Sequence, residues 1–84
     1  MASVDEEISK LVEEIKRLGK PDPKYDNKIS VKFGIIVLDE RASNIFEALN
    51  GTLRAAKKRK VVDFKGEMLL QGAHNDVDII LLQQ

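Results

Sequence analysis

Along the N-terminal stretch, apolar side chains return at the spacing of one helical face: Ile8, Leu11, Val12, Ile15 and Leu18. Ser3 and Glu6 have the spacing of a capping box, in which each side chain satisfies a free backbone N–H near the other. Gly19 stands where a left-handed C-terminal cap would close this helix. Glu6 with Lys10, and Glu13 with Arg17, are favourably ordered pairs one turn apart on the polar side. The period then breaks. Lys20 to Lys28, with Pro21, Pro23, Asp26 and Asn27, reads as a loop. From Lys28 to Phe33 the pattern alternates, placing Ile29, Val31 and Phe33 on one face of a short strand. Gly34-Ile35-Ile36-Val37-Leu38 is apolar; its β-branched residues favour a strand, yet the run suits a short buried helix equally.

A long helix is predicted to begin near Asn44, with Glu47 as its capping partner. Ile45, Leu49, Leu53 and Ala56 would line its buried face, and Asn44, Glu47, Gly51, Arg54 and Lys58 the opposite one. An exposed glycine inside a helix costs about 1 kcal/mol relative to alanine. Gly51 is therefore either a tolerated cost or a point where something packs close to the backbone. At the end of the chain, Glu67-Met68-Leu69-Leu70-Gln71, a turn over Gly72 to Asp76, and Val77 to Leu82 predict a β-hairpin. Met68, Leu70, Val77, Ile79 and Leu81 would face the core, with Asp78 outside. Leu69, Ile80 and Leu82 would then form a second apolar face, buried under a helix or presented to a partner. Helix, basic helix end and two-stranded wing together outline a winged-helix-like α+β unit.

With 84 residues the chain predicts one domain over residues 1–84, burying roughly 60–65% of its unfolded surface. Charged residues at 33% and hydrophobic ones at 43% describe a globular rather than a disordered chain. The absence of cysteine removes disulfides and thiolate metal sites. No apolar run approaches the roughly 18 residues that span a bilayer. The acidic N-terminus has neither the basic nor the apolar region of a signal peptide, so a soluble, cytoplasmic protein is expected. Formal net charge is zero but segregated. Residues 1–40 hold seven Lys/Arg against nine Asp/Glu, residues 41–66 seven against two, and residues 67–84 none against three. Such a dipolar surface orients a partner without making the whole chain basic.

The dense cluster is Arg54, Lys57, Lys58, Arg59 and Lys60. Cations at a helix C-terminus complement its dipole, by about 0.3–1 kcal/mol each, which accounts for one or two of the five. A nuclear-localisation-like peptide is a second mundane reading. The functional reading is a docking patch for an acidic surface. Nucleic acid is the alternative partner, since winged helices often bind DNA. However, Glu47 would lie against phosphates, and the turn Gly72 to Asp76 has no Lys or Arg where a basic wing would be needed. His74, Asp76 and Asp78 share one side of an extended segment, but their spacing matches no metal site and no nucleophile or oxyanion donor stands near. No enzyme, metal or cofactor is expected.

Several blocks of the sequence resemble the Costars family. They include Val12-Glu13-Glu14-Ile15, Arg17-Leu18-Gly19, Ser30-Val31-Lys32-Phe33-Gly34, Phe46-Glu47-Ala48-Leu49 and Gly51-Thr52-Leu53. Ala55-Ala56-Lys57-Lys58-Arg59-Lys60, Gly66-Glu67, Leu69-Leu70-Gln71-Gly72 and Asp76 to Gln83 continue the match, which runs from about Ile8 to Gln83. The loop Lys20 to Lys28, with its two prolines, is longer than the pattern. Proteins of this family are similar to the C-terminal actin-binding domain of the striated muscle activator of Rho signalling. The resemblance implies a winged-helix-like fold and a role in actin dynamics and cell motility, through actin itself or cofilin. It also implies that Gly34 to Glu40 is a short helix, which makes three helices with a short strand and a C-terminal hairpin. A monomer associated with the cytoskeleton is expected. No binding residues come with the family, so the site expectation rests on charge: Arg54, Lys57, Lys58, Arg59 and Lys60.

Overall fold

The computed structural model describes residues 3–46, 48–66, 69–70 and 72–83. Helix α1 runs Val4–Leu18 and is capped by Ser3, whose hydroxyl accepts the Glu6 N–H at 3.2 Å, the Ser3 half of the expected capping box. Ile8, Leu11 and Ile15 are buried, while Val12 and Leu18 are partly so. Gly19 ends the helix for a different reason from the one expected. Its φ of −95° is not left-handed. Instead the chain passes so close that a Cβ at Gly19 would lie 2.6 Å from the Ser30 carbonyl oxygen and 2.7 Å from that of Ile15.

The expected loop after α1 is ordered. Strand β1 (Lys20–Asp22) leads into a 3-10 turn over Pro23–Tyr25 and returns as strand β2 (Lys28–Lys32). Asp26 and Asn27 take positive φ, a conformation that short polar side chains tolerate in a tight turn. Pro21 sits on the outermost strand, where a missing N–H breaks no ladder. Helix α2 covers Phe33–Leu38, so the local β preference yields to tertiary context. Phe33 begins this helix rather than ending the strand, and Phe33, Gly34 and Ile36 are buried.

The long helix expected from Asn44 is two helices, which brings the described α-helices to four: α3 at Glu40–Ile45 and α4 at Leu49–Lys58. Asp39 rather than Asn44 caps α3, accepting the Ala42 N–H at 2.9 Å. Extended backbone at Phe46 (φ −102°, ψ 123°) separates the two helices and lets the Phe46 ring enter the core at 7% exposure. Glu47 lies outside the described residues. The anticipated buried face of α4 is otherwise found: Leu53 and Ala56 are fully buried and Leu49 partly so.

The C-terminal hairpin has a different first strand. Strand β4 (Asp78–Leu81) pairs antiparallel with β2 on one edge and with β3 (Val62–Asp63) on the other, giving the order β1-β2-β4-β3. With both edges occupied, β4 has no edge left for the 67–71 segment. Leu69 and Leu70 form no strand, and Glu67, Met68 and Gln71 lie outside the described residues. The alternation along β4 is as expected, with Ile79 and Leu81 wholly buried. Without a strand there, Leu70, expected in the core, is exposed, and the expected second apolar face dissolves, with Leu69 buried at 1%, Ile80 half-buried and Leu82 exposed. The core gathers Leu11 and Ile15 of α1, Ile36, Leu53, Ile79 and Leu81, each at 0% exposure. Full burial of such a side chain stabilises by about 1.5–3 kcal/mol.

Gly19→Ala is expected to destabilise by more than about 2 kcal/mol, because two backbone carbonyls obstruct the new methyl. Urea denaturation checks this; an unchanged midpoint would contradict the close approach.

Candidate functional site

The five predicted cations fall around the C-terminal end of α4, but they are not equivalent. Helix α4 closes in a Schellman motif. Lys60 adopts φ 60°, its N–H donates to the Lys57 carbonyl at 3.0 Å, and the Val61 N–H donates to that of Ala56 at 2.9 Å. The backbone of Lys60 is therefore structural, and its carbonyl also accepts from the Gln83 side-chain amide at 3.2 Å.

Lys57 points back toward the sheet. Its Nζ donates to the carbonyls of Phe64 at 2.6 Å and Gly66 at 2.7 Å, and lies 4.5 Å from the Phe64 ring centroid. A cation held by two carbonyls over an aromatic face staples α4 to the chain leaving β3. It is not available to a partner. Arg59 forms an ion pair with Asp5 at the opposite end of α1, on a wet surface where such pairs contribute at most about 1 kcal/mol. Its charge is nonetheless answered within the chain.

Arg54 and Lys58 differ from these. Both are exposed and, like the Lys60 side chain past the helix end, have no ion-pair partner among the described residues; they alone of these three lie on α4, one turn apart. With Gly51, Ala55 and the stem of Lys57 they line a concavity of about 520 Å³. Gly51 is exposed, and a Cβ there would meet only the Ala48 Cβ, at 3.8 Å, among the described residues. The arrangement can attract and hold an anionic surface.

Two further polar clusters escaped the sequence reading. Glu14, at 2% exposure, accepts from Arg17 at 2.7 Å, with Arg41 at 3.7 Å. Arg17 also reaches Asp39 at 2.5 Å, so its expected partner Glu13 is replaced by residues that join α1 to the α2–α3 junction. Asp39 is held below the usual carboxylate range by the Ala42 N–H and by Arg17, and the Arg17 guanidinium is raised by Glu14 and Asp39. On the sheet, Asp78 accepts from the Tyr25 hydroxyl at 2.6 Å and pairs with Lys32 at 3.0 Å. These contacts, Tyr25 first, hold the Asp78 carboxyl below its ordinary value and raise Tyr25 and Lys32. The expected line of His74, Asp76 and Asp78 does not converge: His74 Nδ1 instead accepts the Leu70 N–H at 2.8 Å within its turn. Among the described residues, no group of three or more His, Cys, Asp or Glu could hold a metal ion. Among them, too, no helix is long and apolar enough to cross a membrane.

Comparison with known proteins gives a consistent picture. A family model described as Costars matches residues 3–82. The chain is 59% identical over 81 residues to the human Costars family protein ABRACL, covering 96% of this chain and 98% of that one. It is 60% identical over 81 residues to Costars family protein WS02710_H03 of Picea sitchensis, covering 96% and 83% respectively. The solution structure of human HSPC280 protein superposes with a TM-score of 0.88 at 58% identity, over 99% of this chain and 95% of that chain.

Lys57→Ala is expected to lower stability by about 2 kcal/mol, since two carbonyls lose a charged donor, whereas Arg54→Ala stays within about 0.5 kcal/mol of the parent. Chemical denaturation of the two variants checks the division; equal losses would refute it. A depressed carboxylate stabilises above its unfolded pKa, and that contribution is lost as pH falls through the lower folded value. Asp78→Asn should therefore flatten the fall in stability below about pH 4, read as urea midpoints against pH. A parallel acid limb in the variant would show that Asp78 is not the linked group.

Proposed function

The chain belongs to the Costars family, and from that footing we propose that it regulates actin-cytoskeleton dynamics and cell motility by binding actin or cofilin, without catalysis. The resemblance of the family to an actin-binding domain supports the partner, and the exposed cations of α4 support the surface. One observation carries the surface: Arg54 and Lys58 stand exposed and unanswered on α4, while beside them Lys57 is held by two carbonyls and Arg59 is paired with Asp5 at the surface. A charge left unpaired in water adds little to folding, and an acidic partner converts it into steering and specificity. A phosphate backbone fits less well, because the turn over residues 72–76 carries no Lys or Arg.

Co-sedimentation with filamentous actin, with and without cofilin and at two salt concentrations, tests the reading. The expected result is pelleting that weakens with salt, with actin alone for direct contact or only with cofilin present for an indirect one. Reversal of both cations (Arg54→Glu with Lys58→Glu) should weaken the association more than about tenfold while leaving the unfolding midpoint near the parent's. Unchanged association of the double variant would refute the surface. Failure of the parent to bind filaments, monomeric actin or cofilin would refute the partner.

A further inference from the structure

We infer that the Arg54–Lys58 face takes an acidic protein segment that crosses α4 in contact with its backbone at Gly51 and presents two carboxylates about 6 Å apart. This deepens the surface reading above and rests on it.

Four of the five glycines of this chain have a cause in the fold. At Gly19 and Gly34 a side chain would collide: Ser30 oxygen lies 2.6 Å and Asn75 Cβ 2.8 Å from the position its Cβ would take. At Gly66 and Gly72 the backbone has φ +91°, which disfavours a side chain. Gly51 satisfies neither condition. It lies inside α4 without positive φ, is exposed, and a methyl there would make one ordinary contact at 3.8 Å with the described residues. The described fold thus tolerates a side chain at a position where helix propensity favours one.

Gly51 shares its helix face with the two unanswered cations, at i, i+3 and i+7. A bare backbone one turn before the first of the exposed charges lets a partner's main chain approach α4 more closely than any Cβ would permit. Arg54 and Lys58 are four residues apart, about 6 Å along the axis, a spacing that two carboxylates one turn apart on a helix can meet. A nucleic-acid backbone calls for a longer row of cations. The neighbouring Lys57 and Arg59 are instead committed to Phe64, Gly66 and Asp5.

The test uses fluorescence anisotropy with three labelled probes: a helical peptide bearing two glutamates four residues apart beside an alanine stripe, its glutamine counterpart, and a single-stranded oligonucleotide. The parent should bind the glutamate peptide at least about tenfold more tightly than either of the others. Gly51→Ala should weaken that binding, and binding to actin or cofilin, by about tenfold. The same substitution should raise the melting temperature by roughly 4–8 °C, so the loss cannot be unfolding. Equal affinity of Gly51→Ala and parent for the glutamate peptide, or for actin or cofilin where the parent binds them, overturns the inference. So do indifference between the two peptides and preference for the oligonucleotide. Glycine-sensitive binding of the glutamate peptide with no binding of actin or cofilin would instead overturn the proposed partner and leave the inference standing.

Discussion

Strand β4 is hydrogen-bonded along both edges, and the placement of almost everything else follows from it. Its residues Ile79 and Leu81 go fully inward, opposite Val31 of β2 and Val62 of β3 in the ladders. A four-residue strand could not hold three distant parts of the chain by its backbone alone. Alternation solves this, because the same ladder that pairs the strands delivers its apolar side chains to the core that Leu11, Ile15 and Leu53 also enter. On the outer face, Asp78 binds Tyr25 and Lys32, so the strand is fixed by polar contacts on the side that water reaches. Because β3 follows α4 directly, pairing of β3 to β4 also sets where α4 ends. Lys57 then ties the helix to Phe64 and Gly66 just beyond that strand. The exposed cations sit on a helix positioned in this way.

Much of this was legible in the residues. Periodicity located α1 with its Ser3 cap, the buried face of α4 and the inward set of β4, because each depends on side chains within one element. What stayed hidden depended on contacts between elements. The break at Phe46 carries no proline or glycine signal; burial of one ring decides it. The 67–71 run has the look of a strand, yet β3 is a two-residue strand at Val62–Asp63 that takes the edge instead. Gly19 is a glycine for close packing against Ser30 rather than for its φ, and sequence alone does not separate those causes.

The candidate site shows the same limit for charge. A count along the chain gives five clustered cations and cannot tell which of them the fold consumes. Lys57 is drawn inward by two carbonyls, Arg59 is paired with Asp5 on the surface, and the backbone of Lys60 closes the helix terminus. Buried Glu14 was unreadable for the complementary reason: a carboxylate on an apolar face signals a core partner only once Arg17 and Arg41 are seen around it. Removing the two committed charges narrows the basic run to Arg54 and Lys58 on α4 with the bare turn of helix beside them, and the Lys60 side chain just past the helix end.

Amide chemical-shift mapping of the isotope-labelled chain, titrated separately with cofilin and with monomeric actin, tests that narrowing most directly. Perturbations are expected to centre on Gly51, Arg54 and Lys58 with at least one of the two partners, and none on Tyr25, Lys32 and Asp78 across the sheet. Perturbations centred on the sheet, or spread evenly over all five cations including Lys57, would contradict it.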